Sequence, residues 1–388
     1  MLATLAFFLL MLTPPGASAA SALSPQDQRF VPVEGATLQA RQEAAASRAA
    51  SAAPQTPYWT AYSFDVRPGV ATDFEWVGDD GTHIILEGSS AFAFDPKLET
   101  RNLGVFVLRS NEGGSPVKRV EVYNLARRRE YSGYPVYWAG RASNDESLNF
   151  LRGLAETATT RADDVAAAAT RALALHDDRR VSSLLEALAR TSTSTRVRSQ
   201  AVRWLGHTTA DTSPAPPLLS ELARSDREFV EVRRAAVGAL GQRKDAESLG
   251  VLQSLYDSLA QRELKRSVLS AIGRNENRNA AASFIVRVAE RETDTELRKR
   301  AVAQLGEIAG EQALGALAQR AAQTDADTEL QKQAVSAIAR RPAAESVPLL
   351  IKIARTHQKP EVRKQAFLLL GRTGDPSAIS FLREVLTK

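Results

Sequence analysis

The sequence predicts an α+β chain in two parts: a small antiparallel β sandwich or barrel, followed by a right-handed α-solenoid of about seven helix pairs. Three observations carry this. Of 24 Phe, Trp and Tyr, 14 lie between Tyr58 and Trp138, in short runs broken by turn residues. From residue 165 onward a three-point apolar motif recurs at steps of 32 to 35 residues. Charge divides at the same place: residues 1–140 hold 12 Lys and Arg against 14 Asp and Glu, and residues 141–388 hold 38 against 31. A length of 388 residues suits two ordinary domains, or one domain plus a long repeat array.

The N-terminus reads as an export signal over residues 1–19. Leu2 to Leu12 is an apolar run of h-region length, too short to span a bilayer. Thr13-Pro14-Pro15-Gly16 breaks it, and Ala17-Ser18-Ala19 is an A-x-A cleavage site. No Lys or Arg precedes the run, and an uncleaved anchor is the alternative. The expected location is periplasmic or secreted, with no transmembrane helix after cleavage. Residues 20–57 read as an Ala/Ser/Gln-rich linker. Gln39 to Ala53 has helix-favouring composition but no clear apolar stripe, so helix and disorder both stay open. Cysteine is absent. That excludes disulfides, cysteine-ligated metals, cysteine nucleophiles and lipid attachment through a lipobox.

Residues 58–140 read as the all-β domain. Strand-like segments are Tyr58–Val66, Thr72–Val77, His83–Glu87, Leu103–Arg109, Val117–Tyr123 and Tyr131–Trp138, separated by Gly-, Pro- and Asn-containing turns. Asn111-Glu112-Gly113-Gly114 is a hairpin signal. The aromatic side chains are read as core filling, with sugar stacking as the alternative. Arg127-Arg128-Arg129 is read as a solvated turn, with an anion patch as the alternative.

Residues 141–164 connect to the array, which runs over 165–388. Its motif is an apolar residue, Ala or Val four later, then Leu or Ile eight later, often followed by Gly. The triads are Val165/Ala169/Leu173, Val197/Ala201/Leu205, Val232/Ala236/Leu240, Leu264/Val268/Ile272, Leu297/Ala301/Leu305, Leu330/Ala334/Ile338 and Val362/Ala366/Leu370. Positions i, i+4 and i+8 share one helix face, so each motif is a helix with one buried stripe. The terminal Gly is expected to be a left-handed cap. A second amphipathic segment follows each motif: Leu184–Leu188, Leu218–Leu222, Leu249–Leu255, Phe284–Val288, Leu314–Leu317, Val347–Ile353 and Ile379–Leu386. No single pair buries its own apolar face, so pairs must stack. The longest step holds Thr208–Pro217, expected to bulge from one edge.

On Val232-Arg233-x-x-Ala236-Val237-x-x-Leu240-Gly241 and Leu297-Arg298-x-x-Ala301-Val302-x-x-Leu305-Gly306, the array resembles HEAT repeats of the short, phycobilisome-lyase type. The resemblance implies stacked helix pairs, usually an interaction scaffold and in a few cases an enzyme. It implies that the motif helices line the concave side. One residue into the motif stand Arg198, Arg233, Lys265, Arg298, Gln331 and Arg363, which the resemblance makes bridges between repeats. Two residues in stand Ser199, Arg234, Arg266, Lys299, Lys332 and Lys364, a basic row that an acidic partner would fit. The competing explanation is self-neutralisation. Glu231, Glu263, Glu296, Glu329 and Glu361 each lie three residues before their basic residue, in the first helical turn.

No G-x-S-x-G, H-E-x-x-H, P-loop or dinucleotide fingerprint is present. His176-Asp177-Asp178 reads as a helix-capping turn rather than a metal site, and His83, His207 and His357 are isolated. The function expected is an exported, non-enzymatic scaffold binding a protein or peptide through Arg234, Arg266, Lys299, Lys332 and Lys364, with no cofactor, metal or nucleic acid. The alternatives are an enzyme resembling bilin lyases and a basic solenoid that binds nucleic acid.

Overall fold

In the computed structural model, the described residues are 30–72, 74–77, 83–86, 92–94, 99–111, 116–127, 129–157, 163–207, 215–243, 245–308, 315–319 and 328–387. The export signal over 1–19 lies outside them, as does most of the expected bulge at 208–217.

Among the described residues, nine strands form: β1 (Phe30–Pro32), β2 (Tyr58–Ser63), β3 (Val70–Thr72), β4 (Phe74–Val77), β5 (His83–Leu86), β6 (Phe92–Phe94), β7 (Leu103–Arg109), β8 (Val117–Asn124) and β9 (Val136–Arg141). Five make one sheet in the order β1-β9-β2-β7-β8, and β3–β6 and β4–β5 are two-stranded ribbons. The main sheet corrects the antiparallel sandwich or barrel. β7 is antiparallel to both its neighbours, but β1 and β2 run parallel to β9. Parallel pairing needs a crossover. The crossover is helix α1 (Leu38–Ala52), which carries the chain from β1 to β2 and leaves the slot that β9 fills.

Of the expected linker at 20–57, the described residues 30–57 are therefore not simply a linker. Helix α1 buries Leu38, Gln42, Ala45 and Ala49, a stripe whose small residues let the helix lie close to the sheet. Thr37 caps it, accepting from the Ala40 amide at 3.1 Å. Arg41 donates to the carbonyls of Ala139 (2.6 Å) and Arg141 (3.0 Å) on β9.

The sheet is apolar on both faces. Tyr62, Val105, Val107, Val120, Val122 and Ala139 belong to the main core. Trp59, Ala61, Phe106, Tyr131 and Val136 form a second aromatic cluster on the opposite face. The alternating positions along β2, β7 and β9 fill both.

After the sheet come α2 (Asn144–Glu156), α3 (Asp163–Ala174), α4 (Arg180–Thr191), α5 (Thr195–Leu205), α6 (Ala215–Arg224), α7 (Val230–Gln242), α8 (Ala246–Ser258), α9 (Arg262–Gly273), α10 (Arg278–Arg291), α11 (Thr295–Leu305), α12 (Thr328–Ile338), α13 (Ala343–Thr356), α14 (Pro360–Thr373) and α15 (Pro376–Leu386), with residues 315–319 also helical. The seven motifs fall on α3, α5, α7, α9, α11, α12 and α14, each packed on the next. All of their triad residues are buried.

The motif glycines are not left-handed caps. Gly206 and Gly306 are C-caps in the right-handed region, with φ of −64° and −67°, and Gly241 and Gly273 lie inside their helices. At Gly206, Gly241 and Gly306 the role is close approach. A Cβ on Gly206, Gly241 or Gly306 would stand 2.7, 2.7 or 2.9 Å from the next motif helix, at Ala239, Ala271 or Ala337 respectively.

The sheet and the array share one core, a single buried cluster running from Val33 to Phe381. At the junction the segment after β2 meets the α3–α4 turn. Arg67 N donates to Leu175 O (2.9 Å) and Asp177 N to Asp65 O (2.8 Å), flanking a bridge between Val66 and His176. His176 is buried there rather than solvated. Its Nε2 lies 2.7 Å from Ser147 Oγ, which lies 3.0 Å from Tyr62 OH, and Phe64 stacks on its ring at 4.2 Å. Burial pushes its pKa down to about 4. Asp178 supplies the turn's capping group, its carboxylate accepting from Arg180 N at 2.9 Å.

Candidate functional site

A cleft of about 1030 Å³ lies where the sheet meets the array. Its walls are Lys118 to Glu121 of β8, Asp164 to Arg171 of α3, and Thr193 to Arg203 around the start of α5, with Glu231 of α7 at the rim. Each wall follows from local sequence. Strand β8 alternates, so Val120 and Val122 enter the core while Arg119 and Glu121 take the other side. Helix α5 starts at Ser194, whose hydroxyl accepts from the Val197 amide at 3.2 Å. That cap turns Arg196 and the following helix face toward α3, where Arg196 pairs with Asp164.

Five cations and three carboxylates line the cleft: Lys118, Arg119, Arg171, Arg196 and Arg203 against Glu121, Asp164 and Glu231. Two of the carboxylates are engaged, Glu121 with Arg119 at 3.3 Å and Asp164 with Arg196. Desolvation lowers the Arg171 pKa, opposed by the Glu121 charge, so this guanidinium is partly shielded from water. Ser199, the first member of the basic row and its one uncharged member, is also in the wall, buried.

The remaining row residues follow along the stack. Arg234, Arg266 and Lys364 are exposed, and Lys299 and Lys332 partly so. Arg266 pairs with Glu263 at 3.1 Å, Lys299 with Glu296 at 3.0 Å and Lys332 with Glu329 at 2.9 Å.

The neighbouring row points inward. Arg198 Nε donates to Ala189 O at 2.8 Å, and its guanidinium pairs with Glu228. Arg233 Nε donates to Ala223 O at 3.0 Å, and Arg363 Nη1 to His357 O at 2.8 Å. These arginines satisfy carbonyls at the C-terminal end of the preceding helix, where positive charge is favoured. Lys265 approaches Glu292 (3.8 Å) and lies 4.8 Å from the centre of the Tyr256 ring. Arg298 is half-buried on α11, and Gln331, in the same register, is fully buried on α12.

Sequence reasoning missed the cleft. Lys118, Arg119, Arg171, Arg196 and Arg203 belong to three separate elements and share no spacing. The one available signal was Ser199, the break in an otherwise basic row.

Helix pairs stacked at this period, through one continuous core, define an α-helical repeat protein. The family model described as HEAT repeats matches residues 181–271, 215–306 and 316–388, more than half of the chain, and the chain belongs to the HEAT-repeat family. No curated protein matches it. Among solved structures, the chain is similar to human deoxyhypusine hydroxylase, at 18% identity over 62% of this chain and 90% of that one, with a TM-score of 0.30. It is similar to the CpcE–CpcF phycocyanin lyase of Nostoc sp. PCC7120, at 16% identity over 66% and 97%, with a TM-score of 0.34. Lipovitellin aligns at 12% identity over 78% of this chain and 38% of that one, with a TM-score of 0.45.

Proposed function

We propose that the chain is an exported, non-enzymatic scaffold that holds an acidic protein or peptide on the face formed by its motif helices. The observation that carries this is register. Arg234, Arg266, Lys299, Lys332 and Lys364 occupy one position of successive stacked helices, and the first position of that row, Ser199, opens into the cationic cleft. The Glu partners of Arg266, Lys299 and Lys332 reduce the field of the row without abolishing it. Such exposed pairs are weak, about 0.2–0.5 kcal/mol, and exchange readily for a partner's carboxylates. Export rests on the apolar run and A-x-A site at the N-terminus.

The test is charge reversal, Arg266→Glu with Lys299→Glu and Lys332→Glu, followed by pull-down from periplasmic extract. Loss of a partner that the unaltered chain recovers is the expected result. Unchanged recovery by the folded triple variant overturns the proposal. Salt-dependent retention on DNA, with no protein recovered, would overturn it in favour of nucleic-acid binding.

A further inference from the structure

We infer that the junction cleft seats an extended acidic segment of the partner, added as a further strand along the outer side of β8. The inference rests on the scaffold reading above and specifies where and how the partner is gripped.

Strand β8 ends the order β1-β9-β2-β7-β8, and no strand among the described residues pairs with its other side. The ladder shows which amides that side presents. Leu125 N donates to Asn102 O at 2.9 Å, so hydrogen-bonded pairs fall at 102/125 and, two residues at a time, at Gly104/Tyr123 and Phe106/Glu121. Val122 and Val120 stand opposite Val105 and Val107 at the intervening, non-hydrogen-bonded positions. In an antiparallel ladder the N–H and C=O groups of those residues point away from the partner strand. On β8 they point away from β7, toward the outer side. Edge strands of this kind accept an added peptide strand through main-chain hydrogen bonds, with side-chain pockets supplying specificity.

The cleft supplies the specificity. It is walled by Lys118 to Glu121 on the strand side, about 13 Å of β structure at ~3.3 Å per residue. Opposite lie Arg171, Arg196 and Arg203 on α3 and α5. Side chains of an added strand alternate, so acidic residues at every second position would all face this helical wall. Beyond the Arg119–Glu121 and Arg196–Asp164 pairs, Lys118, Arg171 and Arg203 stand against Glu231, and this excess of positive charge makes the occupant an acidic segment rather than a neutral or basic one.

The test uses the full chain and fluorescence anisotropy of a labelled octapeptide alternating Glu and Thr. Two further peptides serve as probes. One has Lys in place of every Glu. The other keeps the charge but is N-methylated at alternate amides, prepared in both registers. Expected results are binding of the Glu–Thr peptide, none of the Lys–Thr peptide, and a loss of about tenfold or more for one N-methylated register. Lys118→Glu with Arg203→Glu, both exposed, should weaken binding by a similar factor with circular dichroism unchanged. Equal binding of both N-methylated registers overturns strand addition, and equal binding by the folded Lys118→Glu/Arg203→Glu chain overturns the site. If that variant still recovers the partner while the row variant does not, the scaffold reading stands and the cleft falls.

Discussion

Gly206 and Ala239 fix the spacing between two repeats: a Cβ on Gly206 would stand 2.7 Å from Ala239 Cα. Gly206→Ala should therefore destabilise the chain by about 1–3 kcal/mol, the range for overpacking a closely packed contact. Gly371 is the control. It lies inside α14, and a Cβ there meets nothing within 4 Å. Gly371→Ala should stabilise by about 0.5–1 kcal/mol through helix propensity. Urea unfolding of the two variants checks the opposite signs.

Two arginines one register position apart should behave differently. Arg233 is 3% exposed and donates to Ala223 O. Arg233→Ala strands a buried carbonyl and should cost about 1–3 kcal/mol. Arg266 and its partner Glu263 have half or more of their side-chain surface exposed, so Arg266→Ala should cost no more than about 0.5 kcal/mol. Thermal melts compared side by side decide it.

The buried Tyr62–Ser147–His176 chain should be strongly coupled. Ser147→Ala leaves His176 Nε2 and Tyr62 OH without this partner, at a cost of about 1–3 kcal/mol. Added to Tyr62→Phe, where the tyrosine hydroxyl is already gone, it should cost measurably less than alone. A double-mutant cycle by urea unfolding tests this, and strict additivity would refute the coupling.

Acid should weaken the same junction. Burial holds the His176 pKa at about 4 in the folded chain, against an ordinary 6.5, although Asp65 and Asp178 pull it upward. His207 is lowered to about 4 as well, first by burial and then by the Arg67 charge. The unfolded chain takes up these protons below pH 6.5 and the folded chain not until about pH 4. Stability present above pH 6.5 is therefore lost progressively between 6.5 and 4. Urea midpoints at pH 7, 6 and 5 should fall in that order, and an NMR titration should find the His176 imidazole still neutral at pH 5.

The repeats were legible because their information is local. Every triad from Val165/Ala169/Leu173 to Val362/Ala366/Leu370 is a periodic stripe that one helix reads out, and all are buried. Strands β7 and β8 were legible for the same reason: a turn signal joins two apolar runs. The parallel pairing was not. It joins Phe30 to Val136 across more than a hundred residues, and the three residues of β1 carry no pattern of their own. Helix α1 hid its buried side because Leu38, Gln42, Ala45 and Ala49 form a stripe only against a sheet that comes later in the chain. Gly206, Gly241 and Gly306 serve a contact rather than a conformation. Sequence marks a position that tolerates no side chain, but only the neighbouring repeat shows whether conformation or contact is the reason. The cleft was least legible of all, since its charges converge only when β8, α3 and α5 are brought together.

The single core running from Val33 to Phe381 makes the array a cantilever. Its root is set in a sheet with an apolar cluster on each face, and each later repeat touches mainly its neighbours. Small tilts at successive interfaces add outward from that root. The cleft sits at the stiff end, with its geometry held by the sheet, whereas Lys332 and Lys364 ride where accumulated bending is greatest. A ligand fixed at the root and contacted again along the row would meet rigid recognition first and a compliant surface second, and could draw the arm around itself without disturbing the place where it is held.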